Sequence, residues 1–399
     1  MLANIDRRAF IVGSGGLLWA GAAPSDQLVL GVIGSGGRGT AVMKVFQSHS
    51  DVKIGAICDV YEPNLEQALA EAVRGGSHPI SYRNYRDLLA DKNIQAVLIA
   101  TPEHWHYQMV MDAIAAGKDI YVEKPLCRTP EEGVTLVNAE KNSRCVIQVG
   151  MQRRSYDLFL NARRIVASGS LGQIRMVRSW WLNNSLNTAP ATQLEGKLDW
   201  EQWQGPAEHR PFDPDRFRNW REYSEYSGGI VADQGAHVFD GIHLLMNAGY
   251  PLAVNSSAGR VHKQRVDTPE SQVVIAEYPE DFLAVFTINY AAMHYKPQND
   301  QLNQLDGDQA RLDIGREDFK VYRRGNEERP ETAQHSELGF SHATDLHVAN
   351  FLECVRTRQT PTAPVRLGFQ AALVVQMANL SLRQGRRLRW NAQTNQVEA

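Results

Sequence analysis

At 399 residues, the chain is long enough for two domains with sizeable cores. Its formal charge of −3 gives no electrostatic reason to expect a nucleic-acid partner, and no apolar run approaches the length needed to span a bilayer. The four cysteines, Cys58, Cys127, Cys145 and Cys354, are scattered among apolar neighbours without a metal-ligand spacing, which reads as small buried residues.

Residues 1–23 read as an export signal. Arg7 and Arg8 precede a weakly apolar, glycine-rich stretch over residues 12–19, and Ala20-Gly21-Ala22-Ala23 follows as a cleavage-like end. That order is the pattern of a twin-arginine signal and predicts a periplasmic or otherwise exported protein with no membrane anchor after cleavage. The twin-arginine route moves folded proteins, so a nucleotide loaded in the cytoplasm can travel with this chain.

The apolar run Leu28–Ile33 predicts a first strand, and Gly34-Ser35-Gly36-Gly37-Arg38-Gly39 follows it. Residues 40–46 read as a helix, Val52–Cys58 as a second strand, and Asp59 stands twenty residues after Gly39. A strand, a glycine loop, a helix and an acidic residue at this spacing form the dinucleotide-binding fingerprint. Gly34 makes the tight turn, Gly36 lets the backbone approach the pyrophosphate at the helix N-terminus, and Gly39 lets the helix lie close to the sheet. The Asp59 carboxylate can accept both ribose hydroxyls and repels a 2′-phosphate, which favours NAD over NADP; a guanidinium at Arg38 works the other way.

Further strands are predicted over residues 96–100, 120–122 and 145–149, with helices over 63–73 and 107–116 between them. This alternation argues a parallel sheet with helices on both faces, occupying residues 28–150. Its ligand lies beyond the carboxyl ends of the strands, where Thr101-Pro102 and Glu123-Lys124-Pro125 fall. After Gly150 the pattern changes. A helix over 158–168 leads into strands over 174–181, 272–278, 284–290 and 310–314, a largely antiparallel sheet in a second, α+β domain over residues 151–345. Between the first two strands lie an aromatic, proline-rich excursion over 186–226, too long to be idle, and a helix over 233–246. Helices over 346–356 and 368–383 end the chain, and the segment 346–399 is expected to pack back on the first domain.

Four motifs in this order resemble the Gfo/Idh/MocA oxidoreductases, the glucose-fructose oxidoreductase and inositol dehydrogenase group. They are the glycine loop, Thr101-Pro102-Glu103-His104-Trp105-His106, Glu123-Lys124-Pro125, and the run from Gly228-Gly229 through Asp233, His237 and Asp240. The resemblance implies a Rossmann domain, an open-faced sheet domain, a nicotinamide cofactor, and action on a hydroxyl of a sugar, glycoside or cyclitol. A homo-oligomer built through the sheet domain is also expected. The resemblance puts Thr101, Pro102, His104, His106, Glu123 and Lys124 on the cofactor side with Gly34, Ser35, Gly36, Gly37, Arg38, Gly39 and Asp59.

The chemistry fits these residues. Oxidising a secondary alcohol needs a base, a donor that steadies the developing oxyanion, and a pocket that fixes the carbon against the nicotinamide. Lys124, at a strand end before Pro125, can be the cation at that oxygen; alternatively it is a surface lysine paired with Glu123. Asp233 and His237 are four apart and share a helix face, so the carboxylate can orient an imidazole that acts as base or proton relay. Gln152 and Arg153 follow the last Rossmann strand and, with Trp181, Tyr226 and His237, are the substrate-side candidates. Arg154 joins Arg153 as a fork suited to sugar hydroxyls or a uronate carboxylate. Trp180 and Trp181 alternate on a strand with Asn183 and Asn184 beyond, so only one of the tryptophans can stack on a pyranose.

No metal is expected. His237, Asp240 and His243 supply ligand types, but His243 stands six residues on and points away on a helix, and the resemblance gives His104 and His106 to the cofactor loop. Free NAD is scarce outside the cytoplasm, so an exported enzyme retains its cofactor and has it re-oxidised by a second substrate. Two alternatives stand beside the dehydrogenase. One is a redox-assisted glycoside hydrolase that forms a transient keto-sugar, eliminates the aglycone and adds water, with Tyr223, Tyr226 or Glu225 as its acid. The other is a non-catalytic NAD-holding sensor, against which Lys124 and His237 speak.

Overall fold

The structure is a computed structural model and describes residues 27–183, 190–261, 265–293 and 300–399; the readings of residues 1–23 and Asn184 lie outside them. Six strands form the first sheet: β1 (Leu28–Ile33), β2 (Val52–Cys58), β3 (Ile80–Tyr82), β4 (Ala96–Ile99), β5 (Asp119–Val122) and β6 (Ile147–Val149). They run parallel in the order β3-β2-β1-β4-β5-β6, flanked by α1 (Gly37–Gln47), α2 (Glu62–Arg74), α3 (Tyr85–Ala90), α4 (His106–Ala115) and α5 (Pro130–Lys141). Every residue of β4 and β5 is buried, as a sheet covered on both faces requires. The strand order reverses between β1 and β4, and the crevice beyond their carboxyl ends is where such a sheet takes its ligand.

The second domain is a ten-stranded sheet. Its strands are β7 (Ile174–Leu182), β8 (Ala253–Ala258), β9 (Ser271–Tyr278), β10 (Phe282–Asn289), β11 (Gln301–Gly307), β12 (Ala310–Ile314), β13 (Asp318–Arg323), β14 (Thr332–His335), β15 (Leu388–Asn391) and β16 (Gln396–Glu398). They lie in the order β14-β13-β12-β11-β7-β10-β9-β8-β15-β16, antiparallel except for the β7–β10 pair. After residue 384 the chain therefore adds β15 and, at the sheet's edge, β16, where only helices were expected. The remaining helices are α6 (Asp157–Ala167), α7 (Trp200–Gln204), α8 (Pro214–Arg218), α9 (Gly229–Met246), α10 (His342–Thr357) and α11 (Val365–Gln384). α6, α9 and α11 pack together over one face of the sheet. The other face carries exposed Met176, Val273, Ile275 and Leu283, with no helix over them among the described residues.

Two late helices tie the domains together. Phe351 of α10 packs edge-on against Phe46 and Tyr121 of the Rossmann core, with ring centroids 5.8 and 5.9 Å away. α11 has the length and composition of a membrane span, closer to that limit than the sequence suggested, yet most of it is buried between α5 and α9. Glycines on both sides admit it. A Cβ at Gly133 of α5 would fall 2.0 Å from Phe369, and one at Gly235 of α9 would fall 2.8 Å from Val375.

The excursion crosses the mouth of the first sheet as a strap, here residues 195–226. At one side it joins the turn after β2: the Glu62 N–H donates to Lys197 O at 2.9 Å and the Asp199 N–H to Val60 O at 3.0 Å. At the other, the Trp105 indole N–H donates to Trp203 O at 2.9 Å. Trp203, Tyr223 and Tyr226 form the strap's own small core.

Candidate active site

One cavity of about 750 Å³ lies between the strand ends, α9 and the strap. At its Rossmann end are Gly34, Gly36, Gly37, Arg38, Asp59, Thr101 and Pro102. Gly34 has φ of +83°, and a Cβ there would be 2.8 Å from the Thr101 backbone nitrogen, so the turn out of β1 requires glycine. A Cβ on Gly39 would lie 2.0 Å from Gly34 O, the close helix-to-sheet approach that the fingerprint demands. Around Gly37 a Cβ would meet nothing within 4 Å, so the first turn of α1 faces open space. Bare backbone N–H groups at a helix start, facing a cavity of this size, fit the pyrophosphate of a dinucleotide.

Asp59 lines the cavity, but its oxygens are already engaged. Oδ2 accepts from the Ser35 N–H at 2.7 Å and the Ser35 hydroxyl at 3.1 Å, and Oδ1 accepts from the Tyr61 N–H at 2.9 Å. Burial pushes this carboxyl above its ordinary range against those hydrogen bonds. Ser35 itself is buried and shapes the loop from behind. Arg38 turns away from the ribose end: its Nε donates to Glu123 Oε1 at 2.8 Å, beside Lys124. Gln152 lines the same region and reaches Glu123 at 3.5 Å.

The far wall is built by α9. Lys124 Nζ donates to Asp233 Oδ1 at 2.6 Å and to the Asp233 carbonyl at 3.0 Å, and both side chains are 13% exposed. Arg221 of the strap stands 3.4 Å from Asp233 Oδ2, and Gln234 Nε2 donates to it at 2.9 Å. Burial alone would raise the Asp233 carboxyl, but Lys124 and Arg221 overcome it and hold the group well below the usual carboxylate range. His237 lines the cavity one turn further along α9. Burial, with Lys124 and Arg153 adding to it, holds its pKa well below 6.5, which leaves a neutral imidazole at neutral pH. Asp233 makes no hydrogen bond to His237. Its partners are Lys124 and Gln234, so it positions the lysine and does not orient the histidine.

Other sequence candidates, His106 apart, fall outside the cavity. Arg153 is buried and bonds His237 O at 3.2 Å and Gln301 Oε1 at 2.5 Å, which fastens α9 to β11. Burial draws its pKa down to about 10. Arg154 is spent on Asp240 at 2.5 Å, so neither arginine forks onto a substrate. Trp181 lies parallel to the His237 ring, 6.5 Å between centroids and 23° between planes, and supports that imidazole from behind. Tyr226 is fully buried against Trp203, 4.7 Å away, inside the strap. His104 likewise sits behind the wall, its Nε2 2.9 Å from Trp203 O, and burial pulls its pKa down to about 3. His106 reaches the cavity with Nδ1 2.6 Å from Pro125 O and Nε2 2.9 Å from Thr101 O, so it holds the two loops that flank Lys124. Of the candidate acids, Tyr223 donates to Asp215 at 2.6 Å and Glu225 is clamped by Arg210 and Arg216.

Sequence reasoning left Glu103 without a role, although its motif was in view. It lines the cavity, accepts from the Ser227 hydroxyl at 2.8 Å and the Gly228 N–H at 2.9 Å, and is raised by burial. It thereby latches the β4–α4 loop to the start of α9. The strap residues Trp203, Phe217, Arg218, Trp220 and Arg221 also line the cavity, and the length of the excursion was the signal for them.

A nucleotide cradle faces a charged wall holding a lysine, a carboxylate and a neutral imidazole. Such an arrangement defines the dinucleotide-dependent oxidoreductases. Two models of the Gfo/Idh/MocA oxidoreductase family match the chain, the NAD-binding Rossmann fold over residues 28–151 and the C-terminal alpha/beta domain over residues 175–398. The chain belongs to this family. Inositol 2-dehydrogenase of Gluconacetobacter diazotrophicus is 30% identical over 184 residues, 44% of this chain and 54% of that protein. A glycosyl hydrolase family 109 protein of Solibacter usitatus is 33% identical over 134 residues, 32% of this chain and 31% of its own length. The chain thus spans about half the length of the inositol dehydrogenase and less of the hydrolase. Among solved structures, levoglucosan dehydrogenase in complex with NADH and levoglucosan is similar in fold, with a TM-score of 0.74 at 19% identity over 91% of this chain and 99% of that one.

Proposed function

We propose that this protein is an NAD-dependent dehydrogenase of a ring hydroxyl on a sugar, glycoside or cyclitol. The observation that carries the reading is the Lys124–Asp233 pair at 2.6 Å beside neutral His237, on the wall opposite the glycine loop of one cavity. Bound nicotinamide supplies the hydride acceptor. His237 takes the hydroxyl proton, and the Lys124 ammonium, held by Asp233, stabilises the negative charge left on the oxygen; each role is typically worth about a hundredfold in rate. Single-turnover reduction of bound NAD, with mass spectrometry of the products from a panel of sugars, cyclitols and aryl glycosides, tests this reading. Keto products from one class are expected, and a panel that never reduces bound NAD refutes it.

NAD is the favoured cofactor because Asp59 lines the cavity while Arg38 is turned to Glu123. Tighter binding of NADPH than NADH would overturn that preference. The apolar outer face around Met176, Ile275 and Leu283 supports a homo-oligomer through the sheet, and Ile275→Lys should lower the mass seen by sedimentation. Export rests on Arg7 and Arg8. Their replacement by lysine should strand a folded, loaded protein in the cytosol, and exported protein with both replaced would end that part of the proposal.

The match to a glycosyl hydrolase family 109 protein supports keeping redox-assisted glycoside hydrolysis as a second reading. Its acid would be Glu103, the buried cavity carboxyl raised by burial, in place of Tyr223, Tyr226 or Glu225. Release of an aryl aglycone without net reduction of NAD separates this reading from the first.

A further inference from the structure

Four arginines stand on the strap between residues 210 and 221, and three are paired with a carboxylate. Arg210 Nε donates to Glu225 at 2.6 Å and Arg216 Nη1 to the same carboxylate at 2.5 Å, while Arg221 lies 3.4 Å from Asp233. Arg218 forms no ion pair among the described residues. Its Nη2 donates to the Tyr61 hydroxyl at 3.1 Å, and its guanidinium stands 5.3 Å from the Tyr61 ring centre. A phenol takes one of the five N–H donors of a guanidinium and none of its charge. Arg218 nevertheless lines the cavity that holds Asp59, Asn64 and the glycine loop, and Tyr61 follows Asp59 by two residues. Phe217 beside it also lines the cavity and packs edge-on to Tyr61 at 5.0 Å.

The strap is fastened at this place. The Tyr61 hydroxyl donates to Glu195 O at 2.5 Å, next to the Glu62–Lys197 and Asp199–Val60 backbone bonds, so Arg218 is held over the nucleotide end of the cleft. The Rossmann side offers backbone N–H groups to a phosphate from one direction only. We propose that Arg218 is the opposing cation for a phosphate of the bound dinucleotide, and that Phe217 and Arg218 form an outer wall of the nucleotide site contributed by the second domain. The inference rests on the nucleotide-enzyme reading above. A cofactor gripped from both sides leaves only when the seam at Tyr61 opens, which accounts for retention through contacts of the folded protein, independently of export.

The test uses the full chain stripped of nucleotide. Binding and release of NADH, NADPH, ADP-ribose and adenosine are followed by protein fluorescence and calorimetry in the wild type, Arg218→Ala, Arg218→Lys and Phe217→Ala. Arg218→Ala should weaken ADP-ribose and NADH about tenfold or more, mostly by faster release, with adenosine unchanged and Arg218→Lys recovering part of the loss. A loss confined to NADPH would assign the cation to the 2′-phosphate, and a loss shared by NADH to the pyrophosphate. Unchanged release of every phosphorylated probe, or an equal loss for adenosine, overturns the inference. A wild type that binds no nucleotide refutes the enzyme reading itself, so the two failures are distinguishable, and circular dichroism of each variant establishes that it is folded.

Discussion

Helix α9 carries two aspartates seven residues apart, one paired with a lysine of the Rossmann half and the other with an arginine just beyond it, and their fates differ. Asp233 meets Lys124 with both side chains 13% exposed on a cavity wall, and a second cation, Arg221, stands beside it. Asp240 meets Arg154 at 2.5 Å with side chains 1% and 8% exposed, and burial pushes it up despite the arginine. The first carboxylate is over-supplied with cations, so a proton or a substrate oxygen can approach the lysine without stranding a charge. The second pair is almost wholly buried and stands apart from this cavity, so its charges serve chiefly each other. Similar pairs on one helix therefore sit in different settings, one open to a cavity and one closed into scaffolding, and access and surplus charge set them apart.

Four experiments sharpen or break that contrast. Asp240→Ala leaves Arg154 charged, buried and unpaired, and chemical denaturation should show a loss of about 3–5 kcal/mol. The fraction that remains folded should turn over normally; if its turnover collapses too, the scaffolding assignment fails. Lys124→Ala should do the reverse, lowering single-turnover hydride transfer about a hundredfold or more while NADH affinity and melting temperature stay close to wild type. Destabilisation as large as that of Asp240→Ala would place the lysine among the structural residues.

Titration supplies the third test. With His237 as the proposed neutral base and its pKa depressed, activity should persist as pH falls through 6.5 and fail only well below it. An acid limb at the ordinary histidine value would contradict the depressed value that desolvation and the neighbouring Lys124 and Arg153 give His237. Asp233 has a folded pKa below its unfolded one, so its contribution to stability is complete above the ordinary carboxylate range and is lost as pH falls through the depressed folded value. Asp233→Asn removes that contribution, so stability in the variant should fall less steeply on acidification, alongside a roughly tenfold loss of rate from a less firmly held lysine. Arg221→Ala is the mildest change. Half exposed, the guanidinium should be worth about 1 kcal/mol or less, read as a few-fold higher KM with kcat nearly intact. A collapse of kcat instead would move Arg221 into the reaction.

Much of the first domain could be read directly. β1 and β2 fall where their apolar runs lie, because glycine or aspartate bounds them and burial makes them mostly apolar, with only Lys53 of β2 facing solvent. β3 went unread since it is a three-residue edge with exposed Ile80. In the second sheet, β11 hides because its inward positions include Gln301 and Asn303, whose buried amides serve Arg153 and Ser179 and break the apolar alternation. α9 starts at Gly229, four residues before the predicted helix, because consecutive glycines argue against a helix start that tertiary contacts, Glu103 on Gly228 among them, enforce. The motif residues around Lys124, Asp233 and His237 were legible as types at spacings. Which arginine enters the cavity was not. Arg153 and Arg221 look alike on paper, and only tertiary packing sends one into the sheet core at Gln301 and lets the other, carried by the strap, reach Asp233 on the cavity wall.

The seating of α11 has a consequence for how this molecule can be divided. The matched regions meet between residues 151 and 175, which invites a cut there. Phe369 occupies the space left by Gly133 in the first half, however, and Val375 the space left by Gly235 in the second, so one helix is riveted into both. A first half made alone would carry an empty socket at Gly133 and lack α10, whose Phe351 completes its aromatic core. The two halves are thus a single cooperative unit written in two parts, and a change of partner domain would have to bring a new α11 with it.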